Sequence, residues 1–328
     1  MKRKIKVGIV GYGNLGKGVE LGVYGQEDIQ LVAVFTRRNP NKIKPFFRQT
    51  KVLPIETIEQ YESQIDVLIL CGSSKEDLQS QTPYYAKKFN TVDSFDIHEE
   101  IPTYFEKVHK VAEDSRFVSV ISVGWDPGLF SLHRLLGEAI FPEGEVYTFW
   151  GKGLSQGHST AIRRVQGVKD AVQYTIPSKK AMELVRIGRT LEGLEAERHE
   201  RVCYVVPEQN ANFKKIEEDI KSMPHYFAPY KTTVHFISEE EMEKEHRHMA
   251  HGGHVISSGV TGRNHKQFME FSLSLQNNPE FTAQVLIAYA RAAFNMYKDG
   301  ESGAKTIFDI PIKYISPYSS SYLRRKWL

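Results

Sequence analysis

The sequence predicts an α/β fold: a doubly wound parallel sheet with a second α+β domain for substrate binding and dimerisation. Three features predict it. Five apolar, β-branched runs alternate with helical patterns over residues 1–123, as strands buried on both faces of a parallel sheet require. The first of these runs ends in a glycine turn that opens a helix. Beyond residue 129 the runs alternate polar and apolar residues, which suits half-buried antiparallel strands.

The organising stretch runs from Ile5 through Val7, Ile9 and Val10 into Gly11-Tyr12-Gly13-Asn14-Leu15-Gly16. It is a G-x-G-x-x-G turn placed after a strand and before a helix (about Leu15 to Val23), the context that marks a Rossmann-type dinucleotide site. Gly11 permits the tight turn, Gly13 lets backbone approach a pyrophosphate, and Gly16 lets the helix pack closely on the strand. The phosphates would rest on the helix's free N–H groups.

A fold of this kind that prefers NAD carries an acid about 20 residues further on, against the ribose 2′-hydroxyl. Here the second strand, Leu31 to Phe35, ends in Thr36-Arg37-Arg38 instead. A hydroxyl and two guanidinium groups match a 2′-phosphate, so NADP is the expected cofactor. The competing reading makes Arg37 and Arg38 a solvated surface pair.

With 328 residues, 41% hydrophobic and 25% charged, the chain is long enough for two domains with sizeable cores. A net charge of +3 gives no basic surface for nucleic acid or membrane. No apolar run approaches a membrane span and no leader precedes the first strand, so a cytoplasmic protein is expected. Two cysteines, Cys71 and Cys203, exclude a disulfide framework and read as small core residues.

Along the chain, a loop rich in Pro, Asn and Lys precedes Val52-Leu53-Pro54 and a short helical pattern from Ile58 to Ser63. The third strand, Ile65 to Cys71, runs into Gly72-Ser73-Ser74, small residues at the cofactor edge. Asp77 to Lys88 reads as a helix, and Asn90 to Asp93 as the fourth strand, with Ser94-Phe95-Asp96 leaving it. The fifth strand, Phe117 to Val123, ends in Gly124-Trp125-Asp126-Pro127-Gly128. Asp96 and Asp126 therefore stand at the carboxyl edge of the sheet, where ligands of such folds bind.

The second domain is expected over 124–278, with strands at Glu145 to Trp150, Val202 to Val206, Thr232 to Ile237 and Glu270 to Leu275 in an antiparallel sheet covering the cofactor edge. Phe281 to Tyr297 is a long apolar helix that, with the rest of 279–328, should pack back on the first domain. The histidines at 246, 248, 251 and 254 raise a metal site. No helical His-Glu-x-x-His signature accompanies them, so the expectation is no metal, with one imidazole contacting a polar substrate.

The motifs GYGNLG (11–16), Thr36-Arg37-Arg38, GWDPG (124–128), LSQGHS (154–159) and HGGHV (251–255), in that order, resemble the meso-diaminopimelate D-dehydrogenases over essentially the whole chain. The resemblance implies reversible NADP-dependent oxidative deamination at the D-centre of meso-2,6-diaminopimelate, giving L-2-amino-6-oxopimelate and ammonia, in a homodimer. A substrate with two ammonium and two carboxylate groups needs acids for its amines and arginine, hydroxyl or imidazole donors for its carboxylates. By the resemblance, Asp96, Asp126, Trp150, Gln156 and Gly157 surround the reacting D-end, while Thr175, Arg201, His251 and Asn278 hold the L-end. Asp96 or Asp126 would take the proton of the D-amine. For Arg201 a structural salt bridge to Glu195, Glu197 or Glu200 competes, and for Trp125 and Trp150 plain core packing. The alternatives at the level of function are an NADP-dependent dehydrogenase of other D-amino acids and a non-catalytic NADP-binding sensor.

Overall fold

The computed structural model describes residues 3–224 and 226–328. The chain forms two units, one running to Leu132 and resuming at Pro279–Leu328, the other His133–Asn278. The turn at 124–128, expected to begin the second domain, thus belongs to the first. The turn closes on itself, Gly124 N–H donating to the Pro127 carbonyl at 2.8 Å, and is joined to the first sheet where Val123 N–H donates to the Asp93 carbonyl at 3.0 Å.

The first unit begins with β1 (Ile5–Val10), α1 (Asn14–Tyr24), β2 (Ile29–Thr36), β3 (Val52–Pro54), β4 (Val67–Leu70), α2 (Gln79–Tyr85), β5 (Asn90–Asp93), α3 (Ile101–Asp114) and β6 (Val118–Val120). The helix α4 (Leu129–Ile140) leads into the second unit. There follow β7 (Glu143–Trp150), β8 (Gly153–Leu154), α5 (Gln156–Ile162), β9 (Val168–Pro177), α6 (Lys179–Arg186), β10 (His199–Pro207), α7 (Phe213–Lys221), β11 (Thr232–Phe236), α8 (Glu239–Glu245), β12 (His251–Thr261) and β13 (His265–Leu275). The chain ends with α9 (Asn278–Lys298), β14 (Gly303–Lys305) and α10 (Ser320–Trp327).

The first sheet is parallel throughout, in the order β14-β6-β5-β4-β1-β2-β3. It has seven strands where five were expected, because two three-residue strands, β3 and β14, extend its edges. Such short runs carry no periodicity to read. Val67 to Leu70 are fully buried, as a central strand covered on both faces demands. The helix expected over 58–63 is a 3-10 turn at Ile55–Tyr61, and the one expected over 77–88 opens with a π turn at Ser74–Leu78 and ends at Tyr85.

The apolar face of α9 (Ala283, Leu286, Ile287, Ala290, Ala293) joins Val7, Ile9, Val19 and Val67 in one core, so this helix packs on the first sheet as its composition predicts. Glycines in α1 allow the approach. A side-chain carbon at Gly22 would stand 2.5 Å from Ile287, and one at Gly18 3.1 Å from Ala283.

The second unit contains two sheets where a single antiparallel one was expected. Three antiparallel strands run β13-β12-β7, and a mixed sheet runs β11-β10-β9-β8 with β10 and β11 parallel. Two long strands, β9 and β12, were not foreseen. In β12 the run His251-Gly252-Gly253-His254 and the later Ser257-Ser258-Gly259 lack the β-branched bulk that signals a strand. Among the described residues no helix is long and apolar enough to cross a membrane.

Candidate functional site

In the first unit the glycine turn divides its work as its spacing implies. Gly11 has φ +90° and donates its N–H to the Phe35 carbonyl at 2.9 Å. A side-chain carbon at Gly16 would meet the Gly11 carbonyl oxygen at 2.2 Å, whereas at Gly13 it would meet nothing within 4 Å. Open space therefore lies over Gly13, beside the first turn of α1, whose N–H groups favour an anion. Tyr12 is buried, and its hydroxyl bonds to Glu20, a fully buried acid. Glu20 also accepts from Thr50 Oγ1 at 2.6 Å and from the N–H groups of Phe46 and Phe47. That carboxylate ties the glycine turn to the 46–50 loop.

Gly11, Tyr12, Gly13, Thr36, Arg37 and Arg38 share a cavity of about 250 Å³ with Cys71, Gly72 and Ser73. Arg38 donates to the Tyr12 carbonyl, and its N–H to Thr36 Oγ1 at 3.2 Å. Arg37 is held by Asp77 at 2.6 Å, and Asp77 also accepts the Ser73 N–H at 2.9 Å. Both arginines are exposed, as the solvated-pair reading has it, and each also makes a bond within the pocket. Three lining residues escaped the sequence reading: Ile55, Asp77 and Gln81. Asp77 reaches the pocket through the π turn, which no periodicity announces. Burial pushes the Cys71 thiol up, so it stays protonated.

Asp96 is exposed and tied to the 71–74 turn. Ser74 Oγ donates to its carboxylate at 2.6 Å, and its own N–H donates back to Ser74 Oγ at 3.1 Å. Beneath it lies Asp93, which accepts from Tyr104 Oη (2.6 Å), Thr82 Oγ1 (2.8 Å) and the N–H groups of Phe95 (3.0 Å) and Ser122 (3.1 Å). Burial pushes the Asp93 carboxyl up, against the pull of those four bonds. This buried acid sets the course of Ser94, Phe95 and Asp96, and sequence alone does not separate it from an ordinary strand residue. At the end of β6, Gly128 (φ +128°) closes on Gly124, and an added carbon there would stand 2.0 Å from the Gly124 oxygen. Asp126 is half-buried in that turn, and Trp125 is buried, edge-on to Phe130 at 5.1 Å.

In the second unit Thr175 of β9 lies in register with Arg201 of β10 on one side and Gly153 of β8 on the other. Arg201 is 8% exposed. Its Nη1 donates to Thr175 Oγ1 at 2.8 Å, and its guanidinium lies 4.1 Å from the centre of the Tyr230 ring. Among the described residues no carboxylate pairs with it. Glu200 is taken by Lys231 at 2.9 Å, and the Glu195 side chain lies outside the described set. Burial pulls the Arg201 pKa down. A buried cation without an anion is costly, and a ligand carboxylate would compensate it.

The His251 ring lies over Gly153, where a side-chain carbon would come within 2.4 Å of it, so the glycine makes room for the imidazole beside Thr175. Asn278 N–H donates to the Met249 carbonyl at 2.9 Å. Gln156 and Gly157 begin α5, both exposed, with open space at Gly157. Trp150 is 41% exposed, so it is not a core ring. Its backbone N–H donates to His199 Nε2 at 2.9 Å and its ring stacks on that imidazole at 5.6 Å. Burial, then the charges of Arg201 and Arg198, push His199 down to about 4, so it is a neutral acceptor.

The four clustered histidines separate. His254 pairs with Glu270 at 2.9 Å, His248 is exposed, and His246 is buried against Tyr204. Only His246 joins possible metal ligands among the described residues, with Glu241 and Glu245. Gln173, fully buried beside Thr175, was not singled out from sequence.

The family described as diaminopimelic acid dehydrogenase C-terminal domain matches residues 124–277. The meso-diaminopimelate D-dehydrogenase of Ureibacillus thermosphaericus is 55% identical over 325 residues, 99% of either chain. That of Corynebacterium glutamicum is 42% identical, covering 95% of this chain and 96% of its own. Among solved structures, C. glutamicum DAP dehydrogenase in complex with DAP superposes with a TM-score of 0.86 at 40% identity over 99% of both chains. An engineered D-amino acid dehydrogenase bound to NADP+ does so with a TM-score of 0.81 at 39% identity, over 99% of this chain and 100% of that one.

Proposed function

The chain belongs to the meso-diaminopimelate D-dehydrogenase family, and from that premise we propose that it oxidises the D-centre of meso-2,6-diaminopimelate with NADP, releasing L-2-amino-6-oxopimelate and ammonia. The observation that carries this reading is Arg201: a buried guanidinium with a hydroxyl beside it and no acid of the described chain to neutralise it. It suits a distal carboxylate, and a grip on the far end selects which end of a nearly symmetric molecule reacts. His251 and Asn278 complete the L-end set, and Trp150, Gln156 and Gly157 the D-end set.

Thr36, Arg37 and Arg38 would hold the 2′-phosphate of NADP and the turn at Gly13 its pyrophosphate, and the bound nicotinamide would supply the hydride acceptor. The residues Cys71 to Ser74, Ser94 to Asp96 and Gly124 to Gly128 complete its bed. The D-ammonium must lose a proton before its Cα can give up hydride, and Asp96 or Asp126 accepts it. Ser74, by donating to Asp96, holds that carboxylate in one orientation. Water then adds to the imine carbon, and ammonia leaves. Asp96→Asn and Asp126→Asn rates across pH separate the base from the residue that only orients the ammonium.

The test is NADPH formation at alkaline pH with the meso isomer, beside the LL isomer and NAD. Reduction of NADP by the meso isomer alone is expected. Turnover of simple D-amino acids with none of the diaminopimelate isomers would replace the substrate. We also propose a homodimer. Leu135, Leu136 and Ile140 of α4 and Phe268 of β13, all exposed on the second unit, offer apolar surface for it, and light scattering would read twice the 37.6 kDa chain mass.

A further inference from the structure

We propose that Gln173 is a positioning residue that fixes the hydrogen-bond polarity of Thr175, making its hydroxyl a donor to the substrate's distal carboxylate. This rests on the L-end reading of Thr175 and Arg201 given above.

The inference follows from counting donors and acceptors. A threonine hydroxyl has one proton to give and two lone pairs to fill. Thr175 Oγ1 accepts from Arg201 Nη1 at 2.8 Å and from Gln173 Nε2 at 3.4 Å. With both lone pairs engaged, its proton is directed elsewhere, and no described residue accepts it. The residue on one side of Thr175 is a cation, and the one on the other is a neutral amide whose N–H end faces it. Thr175 thus presents a proton next to a buried positive charge, the pairing that a carboxylate oxygen accepts.

Gln173 has no other evident reason to be polar. It is fully buried, in register with Cys203 and two residues from Ala171 on the same face, both of them fully buried. Its backbone is satisfied without the side chain: its N–H donates to Ser159 Oγ at 2.9 Å and its carbonyl accepts from Ser155 N–H at 2.9 Å. Its own Oε1 is buried with no hydrogen-bond partner. An amide kept in an apolar setting at that cost is explained by what its other end does. Were its Oε1 turned to Thr175 instead, the hydroxyl would spend its proton on the amide, and the site would offer a carboxylate a lone pair.

The test uses the full-length enzyme with NADP and meso-diaminopimelate, in four forms: Gln173→Met, Gln173→Glu, Thr175→Val and the Gln173→Met/Thr175→Val double variant. Gln173→Met keeps the length and removes the donor. Gln173→Glu keeps the shape and places an acceptor against Thr175. Gln173→Glu, whose oxygen takes the Thr175 proton, should raise KM about tenfold, the worth of one hydrogen bond to a charged group, and Gln173→Met, which leaves that proton without a competing acceptor, no more than about threefold, with kcat within about twofold in both. In the double variant KM should rise no further than in Thr175→Val alone, because the amide acts only through that hydroxyl. A Gln173→Glu enzyme with unchanged KM would overturn the inference, as would single-variant effects that multiply in the double. Should Gln173→Met fold poorly, Gln173→Glu decides alone. A wild-type enzyme inert toward meso-diaminopimelate would instead remove the function proposed above.

Discussion

Replacing Arg201 by Met separates a ligand-binding guanidinium from a structural one by two readouts that move in opposite directions. Arg201 is 8% exposed, so a carboxylate bound to it forms a largely desolvated, hydrogen-bonded ion pair. Truncating one partner of such a pair costs about 2–5 kcal/mol, so KM for meso-diaminopimelate should rise roughly 30-fold to several-thousand-fold. The unliganded protein should respond differently. Met removes a charge that no described carboxylate neutralises and fills much the same volume. It loses the Thr175 bond and the Tyr230 ring contact, together about 1–3 kcal/mol, and recovers a desolvation penalty of several kcal/mol. The melting temperature without ligand should therefore hold or rise. Saturating substrate, at about 100 times Kd, stabilises the wild type by about 2.7 kcal/mol, worth roughly 5–11 °C for a unit of this size. In Arg201→Met that ligand-induced rise should fall to at most about 0.9 kcal/mol, roughly 2–3 °C, at the same concentration. Calorimetric scans with and without meso-diaminopimelate, beside steady-state kinetics, give both quantities. A variant that melts several degrees lower without ligand and keeps its KM would show Arg201 to be a structural ion-pair partner and refute the reasoning.

Other substitutions probe the dinucleotide edge and the buried imidazole. Arg37→Ala should weaken NADP binding roughly 10- to 100-fold, the value of one charge-assisted hydrogen bond, and leave NAD binding unchanged in a fluorescence titration. Gly13→Ala should keep or slightly raise the melting temperature while lowering NADP affinity, since its methyl enters open space. Gly16→Ala, whose methyl would lie 2.2 Å from the Gly11 carbonyl oxygen, should cost about 1–3 kcal/mol of stability. His199 is held at about 4 in the folded chain against about 6.5 when unfolded, so the unfolded state binds the extra proton first. Its contribution is complete above about pH 6.5 and is lost as pH falls toward 4, by an amount on the order of 3 kcal/mol. Denaturation midpoints at pH 7.5, 5.5 and 4.5 should show that loss in the wild type and a flatter profile in His199→Gln.

The dinucleotide edge was legible because its signals are local. A buried parallel strand is a nearly unbroken apolar run, and the glycine turn has a fixed spacing, so β1, α1 and the Thr36 to Arg38 exchange of acid for base can be read residue by residue. What stayed hidden depends on residues brought together from a distance. Asp77 orients Arg37 from a π turn 40 positions later, and Asp93 shapes the Asp96 turn through bonds from Thr82, Tyr104 and Ser122. Strand β12 hid behind its glycines and serines, and with it the reason for Gly153, which yields its space to the His251 ring. The pattern marked Arg201 as a candidate, but only the structure shows the charge buried with no acid against it among the described residues.

The first unit is assembled from both ends of the polypeptide. Its sheet gains β14, and its largest core gains α9, from residues that follow the whole of the second unit. During synthesis the dinucleotide half therefore waits, its α1 glycines and the Val7, Ile9 and Val19 surface uncovered, until the ribosome has finished 133–278. The inserted segment is contiguous, and can fold as it emerges. Release order thus sets a hierarchy: a nascent chain arrested before Ala283 should expose that apolar face to chaperones however well its inserted half has formed.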